Sequence, residues 1–157
     1  MAEELNLFEN WLGGLLAKLD APARHAALRD IARELRRSQQ ARIAAQRNPD
    51  GSGYDARKPR LKPGGKALRD KRGRIKRTAM FVKLRTARYL QTEVDATGLA
   101  IGFSGRVSRV ARVHQFGETD RVAPGGKDYK YPARVLLGFT TEDRELIRDM
   151  LLKHITK

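Results

Sequence analysis

The sequence predicts an α+β fold in which a small, mostly antiparallel sheet is covered by helices and a long basic arm projects from it. Three observations carry that expectation. Apolar residues recur at helical spacing near both ends of the chain, from Leu5 to Leu19 and from Leu146 to Ile155. Shorter β-prone runs, at 89–103 and 131–139, are bounded by turn residues. Between Arg57 and Arg77, lysines and arginines crowd together with Asp70 as the one acid, too close to compact without a counter-charge. At 157 residues the chain has the length of one ordinary domain. We read it as one unit with N-terminal helices at 3–47, a basic arm at 48–78 and an α+β core at 79–157.

The first helix is expected over Glu3 to Leu19. Leu5, Phe8, Trp11 or Leu12, Leu15 or Leu16, and Leu19 stand at helical spacing, Glu3, Glu4 and Glu9 suit the positive end of the helix dipole, and Gly13 and Gly14 weaken it. Its apolar face either packs into the domain's own core or docks on a neighbouring subunit. For the second use the contact residues are Phe8, Trp11, Leu12 and Leu15. Asp20 is placed to cap a second helix from about Pro22 to Gln46, striped with Leu28, Ile31, Leu35, Ser38 and Ile43 and ended by Asn48 before Pro49. The breakers Pro49, Gly51, Gly53, Pro59, Pro63, Gly64 and Gly65 make 48–65 a loop or arm. Met80, Phe81, Leu84 and Leu90 suit a short amphipathic helix or a turn. A hairpin follows, turned at Asp95 to Gly98, with Leu99, Ile101 and Phe103 on one face.

A short helix is expected over Val107 to Phe116, with Val110, Val113 and Phe116 on its face, then a long loop from Gly117 to Lys130. A buried strand is expected after Pro132, through Val135, Leu136, Leu137 and Phe139. Thr140 or Thr141 caps a closing helix whose stripe is Leu146, Ile147, Met150, Leu151, His154 and Ile155.

Composition narrows the chemistry. Without cysteine there are no disulfides, thiolate nucleophiles or cysteine-ligated zinc. No apolar run approaches the roughly 20 residues of a membrane span, and the start of the chain is acidic where a signal peptide is basic. No membrane partner is expected. The formal charge of +15 implies an anionic neighbour, either nucleic acid or an acidic protein surface. The basic contact residues are Arg57, Lys58, Arg60, Lys62, Lys66, Arg69, Lys71, Arg72, Arg74, Lys76 and Arg77. Only Tyr54 stands near them for base stacking, which argues against single-strand recognition.

Catalytic patterns are weak. Gly125-Gly126-Lys127 lacks the rest of a phosphate-binding loop, with Arg121 and Asp128 where glycine and Ser/Thr belong. None of Ser38, Ser52, Ser104 and Ser108 sits in a nucleophile elbow. A metal-dependent nuclease built on His114, Glu118 and Asp120 has no helical His-Glu-x-x-His spacing behind it, and a structural role for His114 is the simpler reading. We expect no enzyme, no cofactor and no metal.

Four strings, in order, give a further lead: RNPDGSGYDARK at 47–58, MFVKLRTARYL at 80–90, ARVHQFG at 111–117 and YPARVLLGFTTED at 131–143. Together they resemble the phage virion morphogenesis family, the tail completion proteins of contractile-tailed temperate phages. Within them His114, Phe116, Gly117, Pro132, Arg134, Leu136, Leu137 and Gly138 form the structural motif. The resemblance implies a non-enzymatic protein of the virion neck or head-proximal tail, made in the host cytoplasm, that finishes tails so that heads join stably. It implies a homo-oligomeric ring, sixfold to match contractile tails, that contacts tail, neck or connector proteins. The apolar N-terminal face beside the charged arm also suits a ring, and the basic arm suits either acidic subunit loops or non-specific contact with packaged DNA. The alternative from another class is a basic DNA-binding protein acting outside the virion.

Overall fold

The computed structural model describes residues 2–57 and 79–156. The expectations for Lys58, Arg60, Lys62, Lys66, Arg69, Lys71, Arg72, Arg74, Lys76 and Arg77 therefore lie outside the described residues. In chain order the elements are α1 (Ala2–Leu16), α2 (Ala21–Ala44), β1 (Leu90–Val94), β2 (Leu99–Phe103), α3 (Val107–Phe116), β3 (Thr119–Arg121), β4 (Asp128–Lys130) and α4 (Thr141–Ile155). The fold is α+β, with two separate two-stranded antiparallel sheets where a single small sheet was expected.

Helix α2 is the axis of the molecule. The Asp20 carboxylate accepts the Ala23 N–H at 2.8 Å, so the predicted cap forms, with a proline in the first turn. Along one half of α2, Ala27, Ile31 and Leu35 pack against Ile147 and Leu151 of α4, and Phe8, Leu12, Leu16, Leu19, Leu99 and Ile101 close over them. Each of the buried leucines and isoleucines contributes about 1.5–3 kcal/mol by leaving water. Along the other half, Ile43 gathers Tyr54, Ala111 and Leu136, flanked by Met80, Phe81, Leu84 and Phe103. The predicted hairpin is present: Val94 pairs with Leu99, and Asp95 accepts the Thr97 and Gly98 N–H groups in the turn. Helix α4 carries a full capping box between Thr140 and Asp143.

Five expectations are corrected. Helix α1 stops at Leu16 rather than Leu19 and unwinds through tight turns just past the glycine pair, although Leu19 still packs inward. Helix α2 ends at Ala44, because Gln46 adopts a left-handed φ of 59° before Asn48-Pro49 is reached. Residues 48–56, expected within the arm, form a hydrogen-bonded turn against the core: Arg47 bridges to Gly53, Asn48 donates to the Ser52 carbonyl at 2.8 Å, and Tyr54 is buried, while most of the others are exposed. The 117–130 loop contains the β3–β4 hairpin, whose strands are charged and so show no apolar alternation. The buried strand after Pro132 does not form. Leu136 is buried, but residues 131–140 are in neither helix nor strand. Of the two alternatives for 80–89, the chain takes the turns.

Candidate interaction surface

The buried segment after Pro132 has no neighbouring strand, so its backbone polar groups need other partners. Polar side chains from α2, α3 and the 48 turn supply them. Gln115 accepts the N–H groups of Leu136 and Leu137 at 2.8 and 2.9 Å and donates to the Leu137 carbonyl at 2.9 Å. Arg42 donates to the carbonyls of Val135 and Leu136 at 3.0 and 2.8 Å. Gln39 donates to the Gly138 carbonyl at 3.0 Å and accepts its N–H at 3.3 Å, while also reaching Asp143. Asn48 accepts the Val135 N–H at 2.9 Å. Burial lowers the pKa of Arg42 and raises that of Tyr54, which stands beside it.

Two glycines of the predicted motif are fixed by space. Gly117 ends α3 at φ 63°, and a Cβ there would stand 2.9 Å from the Ala133 backbone nitrogen. At Gly138 a Cβ would meet Pro49 at 2.6 Å.

The two ends of the undescribed segment are rooted side by side. On the incoming end, Arg134, 5% exposed, donates to the carbonyls of Asp55 at 2.9 Å and Ala56 at 3.4 Å. On the outgoing end, the Gln46 amide accepts the Met80 N–H at 2.7 Å and donates to the Met80 carbonyl at 3.0 Å. Between the roots Tyr54 meets Phe81 at 5.7 Å, Phe81 meets His114 at 4.8 Å, and His114 meets Tyr131 at 5.1 Å between ring centroids, each edge to face. The Tyr54–Phe81 contact thus joins the described residues on either side of 58–78, a stretch whose sequence carries ten lysines and arginines against one acid. Arg57 is exposed at that base.

His114 belongs to this anchorage. Arg134 Nη1 stands 3.1 Å from its Nδ1, and because a guanidinium can only donate, Nδ1 is the acceptor and the ring is neutral. Burial, then the charges of Arg134 and Arg57, lower its pKa to about 4. Glu118 and Asp120 lie elsewhere, paired with Arg112 and Arg109, so the structure does not join them to His114 as a metal site. Those two ion pairs fasten the β3–β4 hairpin to α3. Among the described residues no three His, Cys, Asp or Glu side chains gather, and no helix is long and apolar enough to cross a membrane.

The other predicted residues separate by face. In α1, Phe8 and Leu12 pack inward and Leu15 is half-buried, whereas Trp11 is 41% exposed, lying along the Phe8 ring at 6.0 Å between centroids. In α3, Ala111 and Val113 form the buried side, while Val110 and Phe116 face outward, Phe116 at 68% exposure. Pro132 and Leu137 are half-buried. Sequence reasoning missed Gln39, Arg42, Gln46, Asn48 and Gln115. One signal was present: Gln39 interrupts the four-residue spacing from Leu35 to Ile43, a polar residue on a buried stripe.

The model of the phage virion morphogenesis family matches residues 3–156. The chain belongs to this family. The tail completion protein S of Escherichia phage P2 is 38% identical over 155 residues, which span 98% of this chain and 99% of that protein. No solved structure matches. The family's match runs through α1, both roots of the basic segment and the segment held by Gln115, so the parts described above all fall inside it.

Proposed function

We propose that this chain is a structural tail completion protein that assembles as a ring in the neck or at the head-proximal end of the tail and supports stable head joining. The observation that carries this reading is the end-to-end similarity to tail completion protein S. Charge and the surroundings of the basic stretch support a mechanism. The 58–78 stretch holds nine of the fifteen net positive charges, and the residues that flank it belong to an aromatic cluster of the core, which suits a role in meeting anionic neighbours. Those neighbours are acidic faces of tail, neck or connector proteins, with non-specific contact to packaged DNA where the bore allows it. The ring is a homo-oligomer, a hexamer matching contractile tails, built in the host cytoplasm and retained in the virion. It performs no catalysis.

Neutralising Arg69, Lys71, Arg72, Arg74, Lys76 and Arg77 tests the mechanism. The expected result is a folded protein that no longer supports head joining in a complementation assay. Normal infectious particles from that variant would remove the segment from the mechanism. Tight, salt-sensitive binding of duplex DNA by a protein absent from particles would instead favour a DNA-binding role outside the virion.

A further inference from the structure

Helix α1 is unlike the rest of the chain in charge. Residues 1–17 contain Glu3, Glu4 and Glu9 and no lysine or arginine, although lysine and arginine together number 33 in the whole chain. Glu3, Leu7 and Trp11 follow one another at four-residue spacing, which sets them on one stripe of the helix. The stripe faces outward, with Leu7 70% exposed. Glu3 is exposed and pairs with no base among the described residues.

A complementary feature lies at the other end of the β1–β2 hairpin. Arg88, Tyr89, Ser104, Gly105 and Arg106 line a cleft of about 400 Å³ where β1 begins and β2 ends. The Ser104 N–H closes this end by donating to the Tyr89 carbonyl at 2.9 Å. Arg88 rests over the Tyr89 ring, 5.4 Å from its centroid, and neither Arg88 nor Arg106 has an acidic partner among the described residues. The cleft thus offers two unpaired guanidiniums beside an aromatic ring, which suits a carboxylate flanked by an apolar side chain.

Within one chain the two features lie beside different halves of the core. Leu99, at the turn end of the hairpin, and Ile101, at the middle of β2, pack on the same core cluster as α1, whereas Phe103, next to the cleft, packs on the second cluster. Five residues of strand separate the ends by about 17 Å. A patch and its complement on different parts of one molecule suit a head-to-tail contact, which closes into a ring when the rotation permits.

We infer that the Glu3–Leu7–Trp11 stripe of one copy docks in the Arg88–Arg106 cleft of the next. This rests on the ring assembly proposed above and names the surfaces that build it.

Sedimentation velocity of the full chain at low ionic strength tests it by charge reversal. Arg88→Glu with Arg106→Glu should weaken self-association at least tenfold while circular dichroism stays unchanged, and adding Glu3→Arg should restore it to within a few-fold. Trp11→Ala should weaken association to a similar degree without lowering the thermal midpoint. If the reversed pair fails to fold, Arg88→Gln with Arg106→Gln carries the same expectation of weakened association. Association that ignores the arginine changes, or that the second reversal does not restore, would overturn the inference while leaving a ring built on other surfaces. A wild-type chain monomeric at every concentration would overturn both.

Discussion

The two halves of the core are held by different physics. Where α1, α2 and α4 meet, Ala27, Ile31, Leu35, Ile147 and Leu151 are buried among apolar neighbours, and stability comes from area removed from water. Around residues 134–138, side chains from three separate parts of the chain take up the backbone groups one by one. Apolar contact is non-directional and tolerates exchange of one hydrocarbon for another. A hydrogen-bonded segment is specified group by group, and a lost partner leaves an unsatisfied group behind. The contrast shows how a chain of modest hydrophobicity keeps a fixed frame around a highly charged segment: apolar packing supplies bulk stability, and the polar side chains fix the position of the frame.

The sharpest way to break this comparison is Gln115→Ala. It strips hydrogen bonds from the N–H groups of Leu136 and Leu137 and from the Leu137 carbonyl. We expect a loss of about 2–4 kcal/mol in urea unfolding, with amide exchange accelerating first at 134–138 and little at α2 and α4. A loss below about 0.5 kcal/mol would mean that water replaces Gln115 without penalty.

Acid provides a smaller effect that sharpens it. His114 is lowered to about 4 in the folded protein by burial and by the charges of Arg134 and Arg57, against about 6.5 when unfolded. Between those values the unfolded chain binds the additional proton. The contribution is therefore complete above pH 6.5 and is lost as pH falls towards 4. Allowing for screening of a half-exposed ring, this is on the order of 1–2 kcal/mol. Thermal midpoints measured from pH 7 to 4 should fall less in His114→Gln than in the wild type. Parallel curves would place the acid sensitivity elsewhere.

The same contrast explains what the sequence could tell. Apolar periodicity and capping residues are local, so α2, α4 and the β1–β2 hairpin were legible, down to the Asp20 cap and the Asp95–Gly98 turn. The run from Val135 to Leu137 has the composition of a buried strand. Its lack of a strand partner depends on Gln115, Arg42, Gln39 and Asn48, distant in sequence and polar, which no local pattern reveals. The β3–β4 hairpin was hidden because Thr-Asp-Arg and Asp-Tyr-Lys present no apolar face. At the candidate surface, the basic run was visible as composition. Its anchorage was not, because Gln46 reaches Met80 and Arg134 reaches Asp55 across long stretches of chain.

The central claim is that this protein works as a built-in part of the particle. Quantitative mass spectrometry of purified, fully assembled phage tests it most directly. The account predicts the chain in every preparation at a fixed ratio of several copies, six for a hexamer, to each tail. Complete, infectious particles that lack it would contradict the account.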